Sequence, residues 1–293
     1  MQYKLKDLAN ISNFKIIDEH RRWLRQFDNQ HKIRFERRLK NQTESALTEA
    51  WARHLLDYQV DGLGIYEDST DGGPDFICRK NSELFCVEAT CLTIKQLCRA
   101  TGLDHHHSQG YQAYGQITQC IKRAAINKAK QCAKAKDKPT ILLIGTLHEQ
   151  ASTICIQYDT SEFILTSAPS VYAEFDPYSE KSEIATPREI VDFHNSAFLK
   201  PIDMGGIYSI KEVRRSISAI IICGLGNIRY PIIKNKIYSL PINGVLNPSP
   251  QREFKPQLLP NIPFCTLIRE NNKIRYQWLL HDQYQFQDEI NTN

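Results

Sequence analysis

Gly73-Pro74-Asp75-Phe76-Ile77-Cys78-Arg79-Lys80, then Asn81-Ser82, then Glu83-Leu84-Phe85-Cys86-Val87-Glu88-Ala89-Thr90 is the stretch that decides the fold. Residues 75–79 and 84–91 have the composition and alternation of β-strands, and Lys80-Asn81-Ser82-Glu83 is a polar turn between them. With Asn81 and Ser82 as a two-residue turn, antiparallel partners have numbers that sum to 163, so Asp75 faces Glu88. Directly opposed residues have Cβ atoms roughly 4.5–5.5 Å apart. Two carboxylates that close repel each other unless a cation lies between them. Glu88 and Thr90 share one face of their strand, because side chains alternate.

Outward from this hairpin, 63–66 is a third strand-like segment. Before it lies an amphipathic helix, from Thr43 as N-cap through Glu44 to Tyr58, with apolar positions at Ala46, Leu47, Ala50, Trp51, Leu55 and Leu56. Asp61-Gly62 follows its end. Residues 1–42 read as a helical extension, a cap or a nucleic-acid-contacting arm, with charged stretches at 19–22 and 34–38.

After the hairpin, 101–112 reads as a polar loop and Ala113 to Lys136 as a helix. Ile117, Ile121, Ala124/Ala125 and Ala129 recur on it at helical spacing, with Lys and Arg assigned to other faces. Lys138-Pro139 ends it, and Thr140 to Gly145 is a buried strand. Helix followed by buried strand indicates an α/β layer structure. Farther on, 187–198 is read as a helix, Ser216 to Cys223 as a buried strand and 245–263 as a Pro- and Asn-rich surface loop. Residues 287–293 form a polar end. No repeat or long linker divides the chain, so 43–293 is read as a single elaborated domain.

With 293 residues and 41% hydrophobic content, the chain can bury a sizeable core. It has no apolar run of the length a membrane span needs and no apolar leader after Met1, so it is expected to be cytoplasmic with no membrane partner. Its nine cysteines include no CxxC pair, and Cys78, Cys86, Cys155 and Cys223 sit in apolar runs. That pattern fits reduced, buried thiols.

The net charge of +4 is unevenly placed. Residues 1–45 hold 11 Lys/Arg against 6 Asp/Glu, and 95–138 hold 9 against 2. Two basic segments flanking an acidic pair suit a polyanion, and DNA is the expected partner. Three other features are read as bland: Asp104-His105-His106-His107 as a polar loop, Gly224-Leu225-Gly226 as too short for a dinucleotide fingerprint, and His148 as a surface histidine.

The order of elements resembles the PD-(D/E)xK nuclease superfamily, the restriction-endonuclease-like fold. Pro74-Asp75 matches the PD element and Glu88-Ala89-Thr90 occupies the (D/E)xK element. Glu49 matches a helix-borne glutamate that precedes the motif in many members. The segment Ile126-Asn127-Lys128-Ala129-Lys130-Gln131 resembles the basic, glutamine-bearing helix that follows. The resemblance covers 43–148, about a third of the chain.

The resemblance implies a restriction-endonuclease-like mixed sheet flanked by helices, with an elaborated C-terminal half. It implies a Mg²⁺-dependent endonuclease of restriction or defence type, with Mn²⁺ as an alternative ion. The metal ligands would be Asp75, Glu88, the Ala89 carbonyl and Glu49. Thr90 stands where the family has its lysine, and Lys128 would replace that lysine, with Lys95 a weaker candidate. Gln131 would orient water or phosphate. Lys122, Arg123, Lys130 and Lys134 would contact nucleic acid. A homodimer is compatible with cutting both strands, but no motif encodes one. Two readings stand beside this one: a nuclease-fold protein that has lost catalysis and only binds nucleic acid or protein, and a small-molecule hydrolase or structural protein with a coincidental acidic pair.

Overall fold

A computed structural model describes residues 11–66, 72–102, 104, 113–154, 158–165, 172–175, 182–185, 196–201, 208–210, 214–226, 232–233, 236–237, 242–270 and 273–279. Expectations for His105 to His107, Cys155, residues 187–195 and residues 287–293 lie outside the described residues.

The hairpin forms as its turn chemistry dictates. Strand β2 (Phe76–Lys80) and strand β3 (Glu83–Leu92) pair antiparallel from Phe76↔Val87 to Lys80↔Glu83, the register whose partner numbers sum to 163. Asn81 (φ 49°) and Ser82 (φ 66°) both adopt left-handed backbone, as a two-residue hairpin turn requires. Strand β1 (Gly62–Ile65) pairs antiparallel with β2 on its other side. Because β2 begins at Phe76, residues 88–92 of β3 run on past it.

On its far side β3 pairs in parallel with β4 (Thr140–Thr146), every residue of which is buried. The two-stranded pairs β5 (Tyr172–Phe175) with β6 (Ser182–Ala185) and β7 (Leu199–Pro201) with β8 (Tyr208–Ile210) lie outside the main sheet. Strand β9 (Ala219–Gly224) runs parallel to β4, and its Ile-rich run is buried throughout. Another two-stranded pair, β10 (Ile232–Ile233) with β11 (Lys236–Ile237), follows. Strands β12 (Ile242–Leu246), β13 (Phe264–Glu270) and β14 (Lys273–Leu279) complete an eight-stranded mixed sheet in the order β1-β2-β3-β4-β9-β12-β13-β14.

Helices cover both faces. Helices α1 (Ile11–Leu24), α2 (Asn29–Asn41) and α3 (Thr43–Asp57) pack Ile17, Phe35 and Trp51 into one core with Val87, Ile141 and Leu143. The N-terminal helices share the main core: the Trp23 ring lies 6.0 Å from Phe76 of β2. Helix α5 (Ala113–Ala133) packs Ile121, Ala125 and Ala129 on the opposite face with Leu142, Ile144 and Ile220. Two further helices follow β4: α6 (Glu149–Ile154) and α7 (Tyr158–Leu165).

Several local expectations are corrected. Thr43 lies inside α3, and its hydroxyl donates back to the Leu39 carbonyl at 2.9 Å; the capping position is Gln42. Thr93 instead opens an unanticipated helix, α4 (Ile94–Thr101), through a reciprocal capping box with Gln96, and Gly102 ends it in left-handed backbone. His148 is buried, not on the surface; its Nδ1 accepts from the Ala151 N–H at 3.3 Å. No helix among the described residues is long and apolar enough to cross a membrane.

Candidate functional site

The site lies where β2 starts and β3 runs on. Backbone groups alternate along a strand, and the Cys86 N–H donates toward the β4 side, to the Pro139 carbonyl. Odd-numbered peptide groups of β3 therefore face β2. At Ala89 there is no β2 residue to meet them, and the Ala89 N–H donates to Asp75 Oδ2 at 2.9 Å. The Ala89 carbonyl points to the same vacated edge. Asp75 thus sits beside Glu88, as the turn predicts, held by the peptide next to Glu88.

Glu88 is buried and faces α5. Its Oε1 accepts from Lys128 Nζ at 2.7 Å, whereas Oε2 is buried with no hydrogen-bond partner. Here the helix reading is corrected: Lys128 is not on a polar face. It falls in the apolar stripe with Ile121, Ala125 and Cys132, at spacings of seven, three and four residues, and its chain extends inward. That phase was visible in the sequence. Lysine at the predicted core position of a helix, opposite a carboxylate on a buried strand, is a signal for this pairing independent of the resemblance.

Gln131 lies against the turn that leads into Asp75, since a Cβ on Gly72 would come within 3.9 Å of its Nε2. Thr90 is half-buried on the face it shares with Glu88. Lys95 is exposed on α4. Arg123 and Lys130 are exposed on the outer side of α5, while Lys122 and Lys134 are half-buried.

Glu49 approaches from α3, which covers the face opposite α5. It is ion-paired through Oε2 to Arg38 of α2, and Oε1 lies 3.7 Å from His20 Nε2. His20 is fully buried between the rings of Phe35 and Trp23, with centroids at 4.5 and 5.5 Å. Arg38 and His20 were not anticipated from sequence. A spacing signal existed, because Arg38 is three residues past the buried Phe35 and beside the buried Leu39.

Electrostatics tie these groups into one constellation. Lost hydration pushes the Asp75 carboxyl well above its ordinary range, and the negative charges of Glu88 and Glu49 push it further. Burial also raises Glu88, opposed by Lys128 and raised again by Glu49. Burial alone would raise Glu49, but His20 and Arg38 together hold it below the usual carboxylate value. Burial and the nearby Glu88 raise the Cys132 thiol. Three carboxylates therefore meet two cations, Lys128 and Arg38.

Among the described residues no group of three or more His, Cys, Asp and Glu side chains is arranged to cage a metal ion. Glu49 in particular is turned to Arg38. The donors that remain are Asp75, the free Oε2 of Glu88 and the Ala89 carbonyl. All are hard oxygens of the kind that Mg²⁺ and Mn²⁺ take. A buried carboxylate oxygen without a donor beside a second destabilised carboxyl is what a cation would relieve, so this donor set fits a divalent ion with further positions left to water or substrate.

The chain matches no known family model, no curated protein and no solved structure.

Proposed function

We propose that this protein is a metal-dependent nuclease that hydrolyses phosphodiester bonds of DNA. The observation that carries the reading is the pairing of half-buried Asp75 with buried Glu88, with Lys128 delivered to Glu88 from α5, which returns to the site the cation that Thr90 lacks. Asp75, Glu88 and the Ala89 carbonyl would hold Mg²⁺, or Mn²⁺ in its place. The bound ion supplies Lewis acidity and neutralises phosphate charge.

The protein's own groups then do the positioning. The Ala89 N–H orients Asp75, and Lys128 orients Glu88. An ammonium has three donors. One is used on Glu88, leaving others for the attacking water or a non-bridging phosphate oxygen. Thr90 supplies a hydroxyl on the same face, and Gln131 a carboxamide at the mouth of the Gly72 turn. The water gives up a proton to solvent as its oxygen bonds to phosphorus, the ester P–O bond opposite it breaks, and the leaving oxygen is protonated from solvent. Exposed Arg123 and Lys130, with the half-buried Lys122 and Lys134, give α5 a basic outer side for the duplex backbone.

Purified protein incubated with plasmid DNA and Mg²⁺ should nick or cut it, and Asp75→Ala and Glu88→Ala should not. Activity that persists in both variants would sink the assignment.

One observation favours a second reading. Lys128 is closed on Glu88 as an ion pair, and Thr90 brings no further charge, an arrangement that also suits a nuclease fold retained for binding. That reading predicts salt-sensitive DNA binding without cleavage, little effect of Mg²⁺ on thermal stability, and cleavage appearing in Thr90→Lys.

A further inference from the structure

The ion pair between Arg38 and Glu49 hides its anion and shows its cation. The Glu49 side chain is 12% exposed and braced from behind by the buried His20, whereas the Arg38 side chain is 38% exposed. One guanidinium nitrogen meets Glu49, so donors of the rigid fork remain. Arg34 and Arg37, on the same helix, are exposed and extend the positive edge. The ion pair is joined to the site by packed groups: Glu49 lies 3.7 Å from His20, the His20 ring 5.5 Å from the Trp23 ring, and the Trp23 ring 6.0 Å from that of Phe76, the neighbour of Asp75.

We propose that Arg38 is a phosphate-binding residue of this site, taking a non-bridging oxygen of the DNA backbone, and that Glu49 is its positioning partner and not a metal ligand. The proposal rests on the nuclease reading and assigns the α1–α2 helices a part in substrate binding. Planar, multidentate donors suit a phosphate better than an ammonium does. Lys128 and Arg38 then grip the phosphodiester from the two faces of the sheet, across the edge where β2 begins.

The test is equilibrium binding of the full chain to a fluorescent duplex oligonucleotide of mixed sequence, in Ca²⁺ to suppress turnover, across a range of salt. Each lost phosphate contact lowers the slope of log affinity against log salt by about 0.9. Arg38→Ala should show that drop. Arg38→Lys should keep the slope and lose several-fold in affinity. Glu49→Gln should keep most of the slope, and its thermal shift on Ca²⁺ addition should match wild type, while Glu88→Gln loses that shift. The double variant Arg38→Ala/Glu49→Gln removes both partners, leaves no buried charge unpaired, and should share the lowered slope. A wild-type slope in both Arg38→Ala and the double variant overturns the proposal, as does loss of the Ca²⁺ shift in Glu49→Gln. A wild-type protein that binds no duplex overturns the DNA reading itself, so the two failures are distinguishable.

Discussion

The two ends of the sheet treat buried polar groups differently. In the half formed by β9, β12, β13 and β14, Arg214 and Asn247 bind nearby backbone. Arg214 donates through Nη1 to the carbonyls of Ser196 and Ala197, and Asn247 Nδ2 donates to the carbonyls of Arg214 and Ile217 at 3.2 and 2.8 Å. Burial lowers the Arg214 pKa to about 10. These contacts pin loops against strand ends. In the half formed by β1 to β4, Glu88 and Glu49 instead bind charged side chains, Lys128 and Arg38, from helices on opposite faces. One carboxylate oxygen, Glu88 Oε2, is left without a donor. The first arrangement spends its donors on main-chain carbonyls; the second sets carboxylates against cations and leaves a carboxylate oxygen beside a second acid. Buried polarity alone therefore does not mark a site, and the chemistry of its partners does.

That contrast can be broken most directly at the carboxylates. Asp75→Ala or Glu88→Ala should lower Mg²⁺-dependent plasmid cleavage by about 10³-fold or more, the scale on which single electrostatic groups act in hydrolytic sites. Either variant cutting at the wild-type rate would make this end of the sheet as structural as the other.

Lys128→Met should cost cleavage about 10²-fold and stability about 2 kcal/mol, since it strands a buried carboxylate that had a charged donor. A urea titration beside the cleavage assay separates the two effects. Unchanged cleavage would return Lys128 to a structural role.

At the other end, Arg214→Met should cost about 2 kcal/mol by leaving two carbonyls without their donor, while duplex binding per folded molecule stays at the wild-type level. A specific loss of DNA affinity would show that the second half also carries recognition.

The smallest effect has the opposite sign. Asp75 has a raised pKa in the folded protein, so its protonated form favours folding. That contribution is complete below the ordinary carboxylate range and is lost as pH rises through the raised value. Metal-free Asp75→Asn should therefore melt higher than wild type at neutral pH and lose the advantage on acidification toward pH about 4. The gain should be about 1 kcal/mol, kept small because Asp75 is only half-buried and solvent screens it. An equal or lower melting temperature at neutral pH would show that the carboxylate is already neutralised by the protein.

Particular residues show where sequence reading succeeds. The turn at Asn81-Ser82 and the alternation on either side specify the β2–β3 register, because a one-residue slip would turn every core side chain outward. Asp75 was thereby placed beside Glu88 before any tertiary contact was known. The all-apolar runs of β4 and β9 likewise admit only buried positions. Lys128 was placed near Glu88 by the resemblance, but its helical face was misassigned, because its charge was weighed before its phase. His148 was misread because nothing local marks the packing that buries it. Glu49 was singled out by its place in a pattern as a metal ligand, but its partners Arg38 and His20 were not, since they lie on helices whose packing depends on distant apolar faces.

The sequence by itself determined the hairpin, its acidic pair and the basic helix beyond it, because turn geometry and strand alternation act over a few residues. Only the tertiary structure decided which cation serves which anion. Lys128 meets Glu88 across 40 residues, and Arg38 meets Glu49 through the packing of α2 on α3. Those pairings depend on how helices settle onto the two faces of the sheet. That is decided by burial summed over the whole core, and no short stretch of chain encodes it.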